Sequence, residues 1–153
     1  MAGILIDEHN LEGTKIMEIE QKIICKFLLN SKCATEVKEK RFLQKLLKLK
    51  QLDTNILYRG SDHGWTGKDF HSRSDSKGAT ISLFKVKGGD CIGGFTKALW
   101  RSPIGPDFVA DNDAILFNLS RYRHFPSKKT KYAIFRRYDW GPCFCGADYG
   151  RDL

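Results

Sequence analysis

Glutamate is missing from most of this sequence. Its six Glu (8, 12, 18, 20, 36 and 39) all precede residue 40, and every later carboxylate is Asp. Glu favours helices and is poor in strands, so the shift predicts a helical front and a β-rich remainder. Long apolar runs are absent too: none approaches the roughly 18–20 residues of a membrane-spanning helix, which excludes a helical transmembrane protein. The opening Met1-Ala2-Gly3-Ile4-Leu5-Ile6-Asp7-Glu8 lacks a basic n-region and carries two acids where a signal peptide is apolar. A soluble, intracellular and cytoplasmic protein is therefore expected. Cysteine is sparse and odd in number, five in all (25, 33, 91, 143 and 145). With no secretory signal, reduced thiols are expected in place of a disulfide framework. No internal repeat or low-complexity tract is present.

What is present suffices for a folded domain. The chain has 153 residues, 41% of them hydrophobic and 12% aromatic, with 10 Phe, 5 Tyr and 3 Trp. That apolar content excludes an intrinsically disordered chain, and folding at this size buries about 68–70% of the unfolded surface. The 26 basic and 18 acidic residues give a net charge of +8. Residues 1–52 contribute +3 and residues 53–153 contribute +5, so the excess is spread out, whereas a nucleic-acid arm would concentrate it.

Ile16, Ile19, Ile23, Phe27 and Leu28 recur at helical spacing and predict a helix over 14–30. Val37, Phe42, Leu43, Leu46, Leu47 and Leu49 predict a second over 36–50. Lys38, Lys40, Arg41, Lys45, Lys48 and Lys50 fall on its other faces, with Thr35 as cap. A basic amphipathic helix also suits membranes or calmodulin-like partners, but the ordinary reading is a surface helix packed on its own domain. Beyond residue 55 the texture changes. Ile56-Leu57-Tyr58 leads into a polar turn, and a short helix is expected over Trp65–His71 capped by Thr66. Strands are expected over 80–86 and 91–96, joined by the Gly88-Gly89 hairpin. A further strand pair is expected over 114–119 and 132–136, joined by a basic loop at 120–131. The class is α+β: helices followed by antiparallel sheet.

The chemistry-bearing residues make no catalytic pattern. Gly88–Gly94 has neither the Lys-Ser/Thr of a Walker loop nor G-x-G-x-x-G spacing. Cys143-Phe144-Cys145 is a lone pair where zinc needs four ligands, so no metal is expected, although Arg136 and Arg137 could lower a nearby thiol's pKa. Ser61, Asp62, His63, Asp69, His71 and Asp75 are parts of a hydrolase site without a nucleophile elbow. Arg121-Tyr122-Arg123-His124-Phe125 interleaves bases with aromatics as single-strand binders do, yet its place between two strands suits a solvated loop better.

The order and spacing of several motifs resemble the TLDc domain. They are Tyr58-Arg59-Gly60-Ser61-Asp62-His63-Gly64-Trp65 with Phe70-His71, then Gly78 to Leu83, and Gly93-Gly94-Phe95-Thr96 with Trp100. Asp113 to Leu119, with Phe117 at its centre, and Gly141-Pro142-Cys143-Phe144-Cys145-Gly146 follow, ending at Asp152-Leu153. The likeness covers roughly 56–153, leaving 1–55 as an N-terminal helical segment. It implies an antiparallel β-sandwich flanked by helices and a non-catalytic protein-binding module with no cofactor. It also implies a link to protection from oxidative stress and binding to the vacuolar proton-pumping ATPase. The alternatives from the residues themselves are a hydrolase or thiol-based redox enzyme, and a basic nucleic-acid binder.

The sequence departs from the family at Asp113, where Glu is common, and at Cys145, where glycine is. The family pattern also continues past the Asp-Leu pair. A truncated member is therefore expected, with an unpaired sheet edge that helices 14–30 and 36–50 would cover, self-association being the next arrangement and a strand supplied by a partner protein the third. Trp65, Phe70, Phe84, Phe95, Trp100, Phe117 and Phe135 are expected in the core.

Overall fold

The computed structural model describes residues 36–48, 55–128 and 130–144. The predicted helix over 14–30, the Thr35 cap, Leu49, Lys50, Cys25, Cys33, Cys145 and the terminal Asp152-Leu153 lie outside the described residues.

The described chain is α+β, with two antiparallel sheets arranged as an open sandwich with short helices. The elements are α1 (Val37–Leu46), α2 (Gly60–His63), α3 (Gly67–Ser74), β1 (Thr80–Lys85), β2 (Cys91–Thr96), β3 (Asp107–Val109), β4 (Ile115–Asn118), β5 (Arg123–Pro126), a 3-10 turn (Thr130–Tyr132), β6 (Ile134–Arg136) and β7 (Cys143–Phe144). One sheet has the order β1-β2-β4-β5 and the other β3-β6-β7. The β1–β2 hairpin forms as expected. Val86 N–H donates to Asp90 O and Gly89 N–H to Val86 O, while Gly88 and Gly89 adopt φ of 107° and 94°, which glycine tolerates freely.

Register assigns the faces, because cross-strand partners in an antiparallel ladder point the same way. Ile81, Phe95 and Ile115 share one face with Leu83, Gly93 and Phe117. The Leu43 side chain of α1 enters a core on this face with Cys91, Phe95, Phe117 and Leu119. Gly93 is required here by close approach: a Cβ would meet Ser82 O and lie 2.7 Å from the Phe117 ring. The two glycines interrupt no ladder. At Gly94, on the opposite face, the Phe144 ring of β7 lies 2.6 Å from where a Cβ would be. Through that contact the small sheet reaches the large one, and Phe144 continues edge-on to Trp100 and Phe70 in a second core with Ile134.

Four expectations need correction. The stretch 120–131 is not one loop, since Arg123–Pro126 forms edge strand β5 against β4. The strands at 114–119 and 132–136 do not pair with each other: β4 lies between β2 and β5, and β6 between β3 and β7. Trp65 (82% exposed) and Phe84 (40% exposed) lie outside the core, whereas Phe70, Phe95, Trp100, Phe117 and Phe135 are buried. Lys40 of α1 is buried, although the helical spacing put it on an outer face.

Candidate interaction surface

The polar motif of residues 58–75 folds upon itself. Tyr58 donates its hydroxyl to Gly64 O at 2.6 Å, and burial followed by the Asp69 charge raises its pKa. Arg59 pairs with Asp62 at 3.0 Å, and its N–H donates to His63 Nδ1. Ser61 Oγ donates to Asp62 Oδ1 at 2.7 Å. Gly60 leaves the space that the Trp65 ring occupies: a Cβ there would meet the ring. Thr66 and Asp69 make a reciprocal capping box at the start of α3, and the Thr66 bonds hold the Asp69 carboxyl below the usual carboxylate range. The cap is the one expected, but the helix runs on to Ser74.

His71 is buried at the centre of this region. Its Nδ1 lies 2.6 Å from Asp75 Oδ1 and its Nε2 lies 2.9 Å from Arg137 O. Both partner atoms are hydrogen-bond acceptors. Ser102 Oγ donates to the other Asp75 oxygen at 2.8 Å. Ser, Asp and His are therefore adjacent with Asp in the middle. The reverse order of a nucleophilic triad would need His against Ser.

The motif residues at 93–118 also act within the fold. Trp100 Nε1–H donates to Thr80 Oγ1. Asp113 makes an exposed pair with Lys97 at 2.9 Å. The strongest polar hub is a residue the sequence reading passed over, Asp111, only 9% exposed. Its Oδ2 accepts from Thr96 Oγ1 (2.6 Å), Lys97 N–H (2.7 Å) and Ala98 N–H (3.3 Å), and its Oδ1 from Asp113 N–H (2.9 Å). Burial pushes its carboxyl up, but the hydrogen bonds from Thr96 and the three amides outweigh it and hold the pKa low. The signal for it was the Asp111-Asn112-Asp113 spacing, in which the first Asp caps the amide two residues on.

Several large apolar side chains also face outward. On the face of the large sheet opposite α1, Phe84, Ile92, Leu116 and Phe125 are exposed. Beside them a shallow open trough of about 670 Å³ runs between Phe84 and Leu116 on one side and Trp140, Gly141, Pro142, Cys143 and Phe144 on the other. Ile104 (89% exposed), Tyr138 and Trp140 stand out nearby in sequence to the strands they flank. Cys91 is buried and Cys143 half-buried. Among the described residues no three His, Cys, Asp or Glu side chains are grouped to hold a metal ion, and no helix is long and apolar enough to cross a membrane. The basic stretch is partly occupied: Arg121 binds Asp90 at 2.9 Å and Tyr122 packs edge-on against Phe42 of α1.

No curated protein matches this sequence. One family model does, that of the TLDc domain, over residues 28–151. That match takes in α1, both sheets and every motif from Arg59 to Pro142, and the chain belongs to the TLDc domain family.

Proposed function

We propose that the protein is a non-catalytic, cytoplasmic interaction module that contributes to protection from oxidative stress by docking on the vacuolar proton-pumping ATPase. Membership of the TLDc family supports the general part, a protein-interaction module of a kind associated with oxidative stress. The observation that carries the non-catalytic part is where the titratable side chains point. His71 has both ring nitrogens engaged, Asp69 and Asp111 are spent on backbone amides, and Asp62 is tied to Arg59. A general base needs a lone pair within reach of a substrate proton, and the three carboxylates offer theirs to protein donors, while both His71 nitrogens face protein oxygens. Exposed apolar side chains, by contrast, suit a protein partner.

Purified ATPase immobilised on a sensor and presented with the full chain tests the reading. Saturable binding in the micromolar range or tighter is expected, together with lower survival under peroxide of cells lacking the protein. Absence of binding, with peroxide consumed by the pure protein and that activity lost in Cys143→Ser, would replace the module with a thiol enzyme. Binding to random oligonucleotides that weakens steeply with salt would replace it with a nucleic-acid binder.

A further inference from the structure

We propose that the outer edge of β1 is a strand-addition site for an extended protein segment with apolar residues at alternate positions and acidic residues at its ends. The proposal rests on the interaction-module reading and names a surface and a partner chemistry for it.

The hairpin fixes which backbone groups point outward. Val86 N–H bonds Asp90 O, and Cys91 directs its N–H to Ser120 Oγ and its O to Leu119 N–H, towards β4. Hydrogen-bonded and non-bonded pairs alternate in an antiparallel ladder. Ser82 and Phe84 therefore bond Gly94 and Ile92, while Ile81, Leu83 and Lys85 turn their N–H and C=O groups away from the sheet. Among the described residues no strand lies beyond β1, and no hydrogen bond reaches those groups. The opposite edge differs. Ser127 N–H bonds Ala114 O, so His124 and Pro126 are the outward residues of β5, and Pro126 has no N–H to offer. Among the described residues one edge is blocked by proline and the other is open, as in proteins that restrict pairing to a chosen edge.

Charge selects the occupant. Residues 76–89 contain Lys77, Lys85 and Lys87 and no acid, so a strand laid along β1 in either direction meets lysine at both ends. A second copy would bring the same lysines and its own net charge of +8 against them, which disfavours self-pairing. An acidic-ended segment meets complementary charge. Its apolar positions would lie beside Ile81 and Leu83, which are only half-buried against the α1 core. Main-chain pairing supplies affinity and the alternate side chains supply choice of partner.

Amide hydrogen exchange of the full chain, read by NMR, tests this with the peptide Ac-Glu-Asp-Val-Thr-Ile-Thr-Val-Glu-Asp-NH2 and a control carrying Lys at the four acidic positions. Alone, the protein is expected to exchange Ile81, Leu83 and Lys85 amides fast and Ser82 and Phe84 amides slowly. The acidic peptide should slow the three outward amides by at least about tenfold, and the control should not. Lys85→Pro removes an outward N–H that the β2 ladder does not use; it should abolish the protection while leaving the exchange of Ser82 and the thermal midpoint near wild type. The joint Lys85→Glu, Lys87→Glu variant should weaken the peptide by about tenfold without touching the backbone.

Unchanged exchange at saturating peptide, equal protection by the control, or outward amides already slow in the lone protein would each overturn the proposal. Protection that grows with protein concentration alone would assign the edge to a second copy instead. Binding of the ATPase by Lys85→Pro at wild-type strength would leave the interaction module standing and remove only the β1 edge from it.

Discussion

Replacing Asp111 by Ala should be among the most damaging single changes in the described chain, although the side chain touches no exposed motif. The carboxylate collects four donors: the hydroxyl of Thr96, a fully buried residue, and the amides of Lys97, Ala98 and Asp113. A hydrogen bond to a charged group contributes about 1.5–3 kcal/mol, and a buried donor left without a partner costs about 1–3 kcal/mol. Those losses do not add in full, because the methyl group of Ala leaves space that water can enter from the exposed Lys97–Asp113 side. A net loss of about 3–5 kcal/mol follows, the range found when one partner of a buried charged network is removed. Asp111→Asn keeps one carbonyl oxygen for Thr96 but turns an NH2 towards amide donors, so about 2 kcal/mol is expected. Asp113→Ala breaks only the exposed pair with Lys97 and should fall within about 0.5 kcal/mol of wild type. Urea unfolding of the three variants, with slopes compared to confirm a common two-state transition, reads all of this directly. A loss below about 1 kcal/mol for Asp111→Ala, or one equal to that of Asp113→Ala, would refute the hub.

Three further outcomes are expected. The Asp111 carboxyl is held below its usual range, so its contribution is complete above the unfolded-state pKa and disappears as pH falls through the folded one; below about pH 4 the wild type should converge in stability on Asp111→Asn, and a gap that stays constant from neutral to acid would contradict this. Phe117→Ala empties a buried site between Gly93 and the α1 core and should cost about 3–5 kcal/mol in the same melts, a loss under about 1 kcal/mol counting against the β4 assignment. Gly93→Ala presses a Cβ on Ser82 O, which cannot swing aside, and should cost about 1–3 kcal/mol; Phe117→Leu in the same chain should recover part of it, and a neutral Gly93→Ala would be inconsistent with the observed register.

The elements legible in the sequence are those whose signal is local. The Gly88-Gly89 hairpin, the Thr66 cap and the Leu43 stripe each depend on spacings within a few residues, and each stands where expected. What was misread depends on partners far along the chain. The place of 120–131 between two strand-like runs suggests a loop, yet β5 forms there at the sheet edge, where the missing N–H of Pro126 costs nothing. Trp65 is a large aromatic, yet its ring settles at the surface on Gly60, whose missing Cβ leaves the space that the ring occupies. Asp111 was overlooked in favour of Asp113 because nothing in the sequence shows that Thr96 and the amides after it, about fifteen residues earlier, converge on that carboxylate.

The same reasoning explains why a search for reactive side chains finds so little to bind a partner with. The chemistry of recognition proposed here is main-chain, and main-chain direction has no letter in the sequence. Whether Leu83 or Ser82 points outward is decided by the phase of the Val86–Asp90 turn; a turn one residue longer or shorter would exchange the two sets and present Ser82 and Phe84 to the partner. The charged side chains then act at a distance from that ladder. Lys77 and the Lys85–Lys87 pair close its two ends, where they oppose a second copy and attract an acidic segment, so solubility and selectivity come from one arrangement. That arrangement also separates stability from recognition: Asp111, His71 and the capping box hold the scaffold with carboxylates turned inward, and the edge that pairs with a partner is free of them.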